Sequence, residues 1–172
     1  MPVTEWEFLA RVVLASLLGA AIGIERELRA KEAGLRTHML VALGAAMFMA
    51  TGFLLMERFV EAYRTLDADF SALRLDGLSF SGNIITGIGF LGGAIIFRTQ
   101  HRAHGVTTAA SIWATTAVGL ACAAGFYILA AGATVSVLII LHVIGLLEAR
   151  IESKPRQGVP NRKQSSDAST SD

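Results

Sequence analysis

Between Thr107 and Leu147 the chain carries no Lys, Arg, Asp or Glu. A membrane span needs roughly 17–25 mostly apolar residues, so this tract is long enough to cross a bilayer twice. The break is expected at Ala124-Gly125, because glycine adopts tight-turn conformations at little cost. Three further apolar runs precede it: FLARVVLASLLGAAIGI from Phe8, HMLVALGAAMFMATGFLLM from His38, and a third from about Ser79 to Phe97. The predicted spans are thus 8–24, 38–56, 79–97, 107–124 and 126–147, together forming a transmembrane domain over 1–150. A charge at the centre of a spanning helix costs about 2.5–3.5 kcal/mol, and none sits near the middle of these runs. Arg11, close to the start of the first, is expected to snorkel toward headgroups.

The bulk numbers agree. Charged residues make up 17% of the chain and mean hydropathy is +0.54, whereas a soluble domain carries about 25% charged residues. Buried helices of a soluble protein would show charged faces, which these runs lack. The fold class expected is an all-α membrane protein, a compact bundle of five transmembrane helices. Net charge is +1, so no overall field points to nucleic acid. A single cysteine, Cys122, excludes an intramolecular disulfide and a cysteine-based zinc site. The opening MPVTEWE is acidic, unlike the basic start of a signal peptide.

The connecting segments set the orientation. Arg26, Arg29, Lys31 and Arg36 lie between the first two spans, Arg98 and Arg102 after the third, and Arg150, Lys154, Arg156, Arg162 and Lys163 after the fifth. The segment between the second and third spans offsets Arg58, Arg64 and Arg74 with five carboxylates. By the positive-inside rule the N-terminus lies outside and the C-terminus in the cytoplasm. An odd number of spans requires the same.

TGIGFLGG, within the third span, contains G-x-G-x-x-G from Gly87 to Gly92. A dinucleotide loop needs a preceding strand and an acidic residue about 20 positions onward. The next acidic residue is Glu148, so no cofactor is expected. On a helix, Gly82, Thr86, Gly89 and Gly93 instead form one stripe, opposite Ile84, Ile88, Leu91 and Ile95. Small stripes let helix backbones approach, and the bulky side suits lipid. Gly19 and Gly23, in line with Ala15, form a like stripe on the first span, and Ala42, Ala46 and Ala50 on the second. In the fourth, Thr107, Ser111, Thr115 and Cys122 share a face, with hydroxyls expected to bond across helices.

Three places carry polar chemistry. Glu25, Arg26 and Glu27 end the first span, with Arg26 in line with the small stripe. They are expected to face Arg98 and Arg102 across the bundle mouth, as an ion-pair network or a ligand or partner site. In FRTQHRAHGVTTAAS, Arg98, His101, Arg102 and His104 precede Thr107 and Thr108, where a helix N-terminus beside arginines suits a phosphate or an anionic headgroup. The two histidines lack a cysteine or carboxylate nearby, so no metal site is expected. Asn83, Thr86 and His142 are candidate intramembrane polar groups, the histidine bonded to a neighbouring helix. No nucleophile–base pair, hydrolase elbow, H-E-x-x-H or P-loop is present, and enzymatic activity is not expected.

GIERE, GLRTHMLVALGAA, TGIGFLGGAIIFR and GVTTAASIWATTAVGLACAAGFY follow one another in this order. Over residues 8–147 the chain resembles the membrane domain of the bacterial MgtC/SapB family. Matching motif positions are Glu25, Arg26, Glu27, Gly34, Arg36, Thr37, Gly87, Gly89, Gly92, Arg98, Gly105, Thr107, Thr108, Ala109 and Ala110. The resemblance implies a five-span inner-membrane protein tied to low-magnesium adaptation and survival of pathogens inside macrophages, without being a magnesium transporter itself. It further implies contacts with other membrane proteins, among them the F-type ATP synthase, and effects on phosphate uptake. Longer relatives carry a soluble cytoplasmic domain after the fifth span; here 151–172 reads as a disordered cytoplasmic tail. The expected function is a regulator of ion and energy homeostasis, in the lipid bilayer and open to homo-oligomerisation. The rival is an ion transporter or channel, its path lined by Asn83, Thr86, Ser111 and Thr115.

Overall fold

A computed structural model describes residues 4–65, 77–99 and 103–146. The expected tail, 151–172, lies outside the described residues, as does Arg102. Five helices carry the fold: α1 (Glu5–Leu28), α2 (Leu35–Thr65), α3 (Gly77–Ile95), α4 (Val106–Ala123) and α5 (Tyr127–Ile139). A two-residue antiparallel hairpin, β1 (Phe97–Arg98) with β2 (Ala103–His104), joins α3 to α4, pairing Phe97 with His104. The last helix runs from α5 into a π-helical turn, Ile140–Ile144.

Local chemistry explains the ends. Thr4 caps α1 by accepting from the Glu7 amide, and Glu5 and Glu7 in the first turn suit the positive end of the helix dipole. Gly105 precedes α4 at φ 78°, and a side chain there would strike the Ile95 carbonyl. Gly125, at φ 82°, turns the chain between α4 and α5, where the apolar tract was expected to break.

Among the described residues four helices are long and apolar enough to cross a membrane, and α3 is apolar over Ser81–Ile95. Bulk is distributed inside out. Alanines 15, 42, 46, 123 and 130 fill the core at 5% exposure or less, while Leu17, Phe90 and Ile128 stand exposed. A water-soluble bundle buries its large apolar side chains, whereas lipid is as good a solvent for them as another helix. This is a membrane protein.

α4 is the central helix, with 61% of its residues buried against 17% for the last helix. α1, α2 and α4 pack against one another, and small residues set the spacing of α2 from the other two. A Cβ at Gly19 would lie 2.6 Å from the His38 carbonyl oxygen, and one at Gly23 would lie 2.7 Å from the Leu35 Cα. From α4, a Cβ at Gly119 would sit 2.5 Å from the Ala42 carbonyl oxygen. Three backbones therefore meet without intervening side chains.

α3 corrects the expected glycine roles. Gly82, Gly89 and Gly93 meet nothing within 4 Å, whereas Gly92 faces a neighbour, Ala109, at 3.7 Å. Ile84, Ile88 and Ile95 are partly buried, whereas Gly89 and Gly93 are exposed. The helix thus turns toward α4 on the side expected to face lipid. Periodicity separates two faces, but where both are apolar no hydrophobic difference decides which turns inward.

Of the hydroxyls, Ser111 meets His38 of α2 across the helix interface as expected, while Thr115, Thr116 and Thr134 depart from expectation. Thr115 and Thr116 donate to the Ser111 and Ile112 carbonyls, one turn back on α4, and Thr134 does the same to Ala130. The carbonyl one turn back is always in reach, so a buried threonine needs no second helix. Arg11, near the start of the first span, has partners within the bundle. Its Nη1 donates to the Ala123 carbonyl at 2.8 Å and its Nη2 pairs with Glu7 at 2.6 Å. The guanidinium thereby ties α1 to the C-terminal end of α4, where carbonyls lack helical partners.

Candidate functional site

The end of the bundle where α1 finishes holds the densest polar chemistry. Arg26 extends the stripe of Ala15, Gly19 and Gly23, and helical geometry turns it inward until it is only 3% exposed. Its Nη1 lies 3.6 Å from Glu25 Oε2, beyond hydrogen-bond length, and its Nε has no hydrogen-bond partner. Glu25 sits nearer to Arg29, whose Nε is 2.6 Å from Oε1 in a contact not aligned as a hydrogen bond. Two guanidiniums thus share one carboxylate, leaving Arg26 undercompensated.

The triplet finds partners close to home. Glu27 Oε2 accepts from the Leu35 amide at 3.0 Å, satisfying a first-turn donor of α2. A side chain at Gly34 would strike that same carboxylate. Arg98, expected opposite the triplet, instead stands exposed on β1, and Arg36 is exposed in the first turn of α2. An ion pair with a neighbour one turn away requires no tertiary placement, so Glu25 takes Arg29.

Residues not singled out from the sequence complete the site. Glu32, on the α1–α2 loop, accepts from the Thr108 hydroxyl at 2.8 Å. Its own backbone N–H, then that hydroxyl, hold its carboxyl below the ordinary value. His38 is fully buried. One ring N–H donates to the Gly34 carbonyl at 2.9 Å and the other ring nitrogen meets Ser111 Oγ at 3.1 Å. Ser111 Oγ also lies 2.8 Å from the Thr108 carbonyl, continuing the chain of bonds into α4. The one available sequence signal was that His38 extends the Ala42, Ala46, Ala50 stripe by a turn. Arg29 reaches the π-helical turn, with Nη2 3.1 Å from His142 Nδ1 and 3.2 Å from the His142 carbonyl oxygen.

Between these groups opens a cavity of about 760 Å³. Arg26, Arg29, Lys31 and Glu32 form one wall, Ala103–Thr108 the second, and Ile140, Leu141, Ile144 and Gly145 the third. Thr107 is exposed at it, while Thr108 is buried beneath. Asn83 and Thr86 stand apart, exposed on α3, with Thr86 donating to the Gly82 carbonyl. Ser111 and Thr115 are buried on α4. Among the described residues no group of three metal-ligating side chains occurs.

The model of the MgtC family matches residues 12–150. The chain belongs to the MgtC family. YhiD of Escherichia coli (strain K12), named as a candidate magnesium transporter, is 38% identical over 149 residues, covering 86% of this chain and 65% of YhiD. Protein MgtC of Brucella abortus (strain 2308) is 41% identical over 124 residues, covering 72% of this chain and 45% of that protein. An uncharacterized protein of Synechocystis is 35% identical over 152 residues. The chain thus spans less than two thirds of the length of these relatives. No solved structure matches it. The MgtC match takes in every element around the cavity, so the rim belongs to the family's shared part.

Proposed function

We propose that this chain is a non-enzymatic regulator in a bacterial inner membrane. It crosses five times, with its N-terminus outside, and serves ion and energy homeostasis in adaptation to low magnesium and intracellular survival. It acts by contacts with other membrane proteins, made at the cytoplasmic rim around Arg26. By family resemblance the F-type ATP synthase is a candidate partner.

One observation carries this reading: a buried, undercompensated arginine borders a rim cavity, while the bundle behind it is closed by backbone contact. A charge kept under such conditions has work to do at that rim, since burying it costs several kcal/mol. The transporter reading draws on the name given to YhiD. Its proposed path finds little support, because Asn83 and Thr86 are exposed on α3 while Ser111 and Thr115 lie buried on α4.

The test is complementation of a deletion strain at low magnesium. Arg26→Ala should reach the membrane in normal amount and fail to restore growth. Normal growth with Arg26→Ala removes the rim assignment. Purified protein in liposomes should pass no magnesium, and flux without a partner would favour the transporter.

A further inference from the structure

We propose that the rim cavity is an anion site for a phosphate group, either the phosphodiester of an anionic lipid or free phosphate, held between Arg26 and the first turn of α4. The inference rests on the cytoplasmic rim being the working face, and it names what that face binds.

Three observations converge. Arg26 is 97% buried, lines the cavity, and has an Nε without a hydrogen-bond partner. A buried guanidinium with an unused donor is unfavourable unless an acceptor reaches it. Opposite lies the N-terminus of α4, an 18-residue helix with no side-chain cap at Gly105. The amide groups of a helix's first turn have no intrahelical partner, and the helix dipole favours negative charge there. The balance of charge on the walls comes third: Arg26, Arg29 and Lys31 against Glu32. Glu32 is itself engaged by Thr108, Arg29 by Glu25 and His142, and Arg26 only by Glu25 at 3.6 Å, which leaves Arg26 Nε and Lys31 for a ligand.

A forked guanidinium and a row of amides suit the several acceptor oxygens of a phosphate better than a monatomic ion. The volume of 760 Å³ leaves room for part of an organic substituent. The third wall, Ile140, Leu141 and Ile144, is apolar and belongs to the last helix, only 17% of whose residues are buried. A headgroup seated at Arg26 could thus keep its glycerol and upper acyl carbons against that wall. The π-helical turn beneath this wall shifts the backbone where the cavity opens, as such turns commonly do at binding sites.

Two measurements on the purified full-length protein separate the sources. Thermal unfolding in uncharged detergent is followed with inorganic phosphate, against sodium chloride at equal ionic strength. Native mass spectrometry compares nanodiscs of phosphatidylcholine with and without phosphatidylglycerol. A phosphate-specific rise in midpoint assigns free phosphate, and retained phosphatidylglycerol alone assigns the lipid. Neither response overturns the site.

Arg26→Gln should weaken whichever binding is seen by about tenfold to a hundredfold, the usual effect of losing a hydrogen bond to a charged group. Thr107→Glu covers the case in which Arg26→Gln fails to fold. Thr107 is exposed, and a carboxylate in a helix's first turn stabilises it, so the variant should fold and be blind to the anion. Binding unchanged by Thr107→Glu also overturns the site. If neither anion binds yet Arg26→Ala still fails complementation, this inference falls and the rim reading stands. Should phosphate bind while Arg26→Ala complements, the reverse holds.

Discussion

Glu32 clamps the α1–α2 loop to the first turn of α4 through Thr108, and its ionisation sets when the clamp holds. The folded carboxyl titrates below the ordinary value of 4.5, through its backbone N–H first and the Thr108 hydroxyl second. A depressed folded value means that the contribution is present above the ordinary value and is lost as pH falls through the folded one. Thr108→Val keeps the buried shape and removes the donor, so the Glu32 titration should move upward toward 4.5. Carbon-13 carboxyl NMR in detergent micelles, with Glu32→Gln to assign the signal, measures it, and an unmoved midpoint would dissolve the clamp. Nothing in the sequence pointed to Glu32, because an exposed loop carboxylate has no periodicity to betray its partner. Arg26 was legible because a charge in line with Ala15, Gly19 and Gly23 has to turn inward with them. Its partners were not, since Glu25 chose the arginine one turn along and left Arg98 outside.

At the scale of elements, the packing depends on which glycines meet a backbone. Gly119 lies against the Ala42 carbonyl at the junction of α4 with α2, where neither side can yield by rotating a side chain. Gly119→Leu should therefore prevent a stable fold, exceeding the roughly 1–3 kcal/mol typical of overpacked side-chain contacts. Gly89→Leu, pointing into open space, should leave the monomer's detergent melting point within a few degrees of the parent. A comparison of the two melting curves decides between them, and a collapsed Gly89→Leu monomer would mean that α3 packs the other way round. Helix existence was readable throughout, from apolar length and from the Ala124-Gly125 break. The stripes of α1 and α2 also pointed correctly, because Gly19, Gly23 and Ala42 lie where two central helices touch on both sides. α3 was misread because it packs at the periphery, with Gly92 against Ala109, and its two faces are almost equally apolar.

For the whole molecule, the arrangement of charge ties fold to function. Along α1, Arg11 is held by Glu7 and the end of α4 at one extremity, and Arg26 and Arg29 gather at the other. The distance between these extremities, about 23 Å for fifteen residues at 1.5 Å each, is somewhat less than the roughly 30 Å hydrocarbon layer. Both clusters would therefore sit near the boundaries of the apolar layer, consistent with helices placed across it. The Arg26 end carries the excess of basic residues in the adjoining segments, which is the ground on which we propose that it faces the cytoplasm. Our proposed orientation then has a sharp consequence, because five crossings put the two termini on opposite sides and four would put them together. Alkaline phosphatase, active only outside, should be inactive when fused after Leu147 and active when fused within 66–76. A fluorescent protein that matures only in the cytoplasm should give the reverse pattern. Activity of phosphatase at both points would mean that α3 does not cross, and the rim cavity would then be bounded by elements on different sides of the membrane. Since Gly105 of the α3–α4 connection and Arg26 of α1 line that same cavity, such a result would contradict the bundle itself along with its orientation.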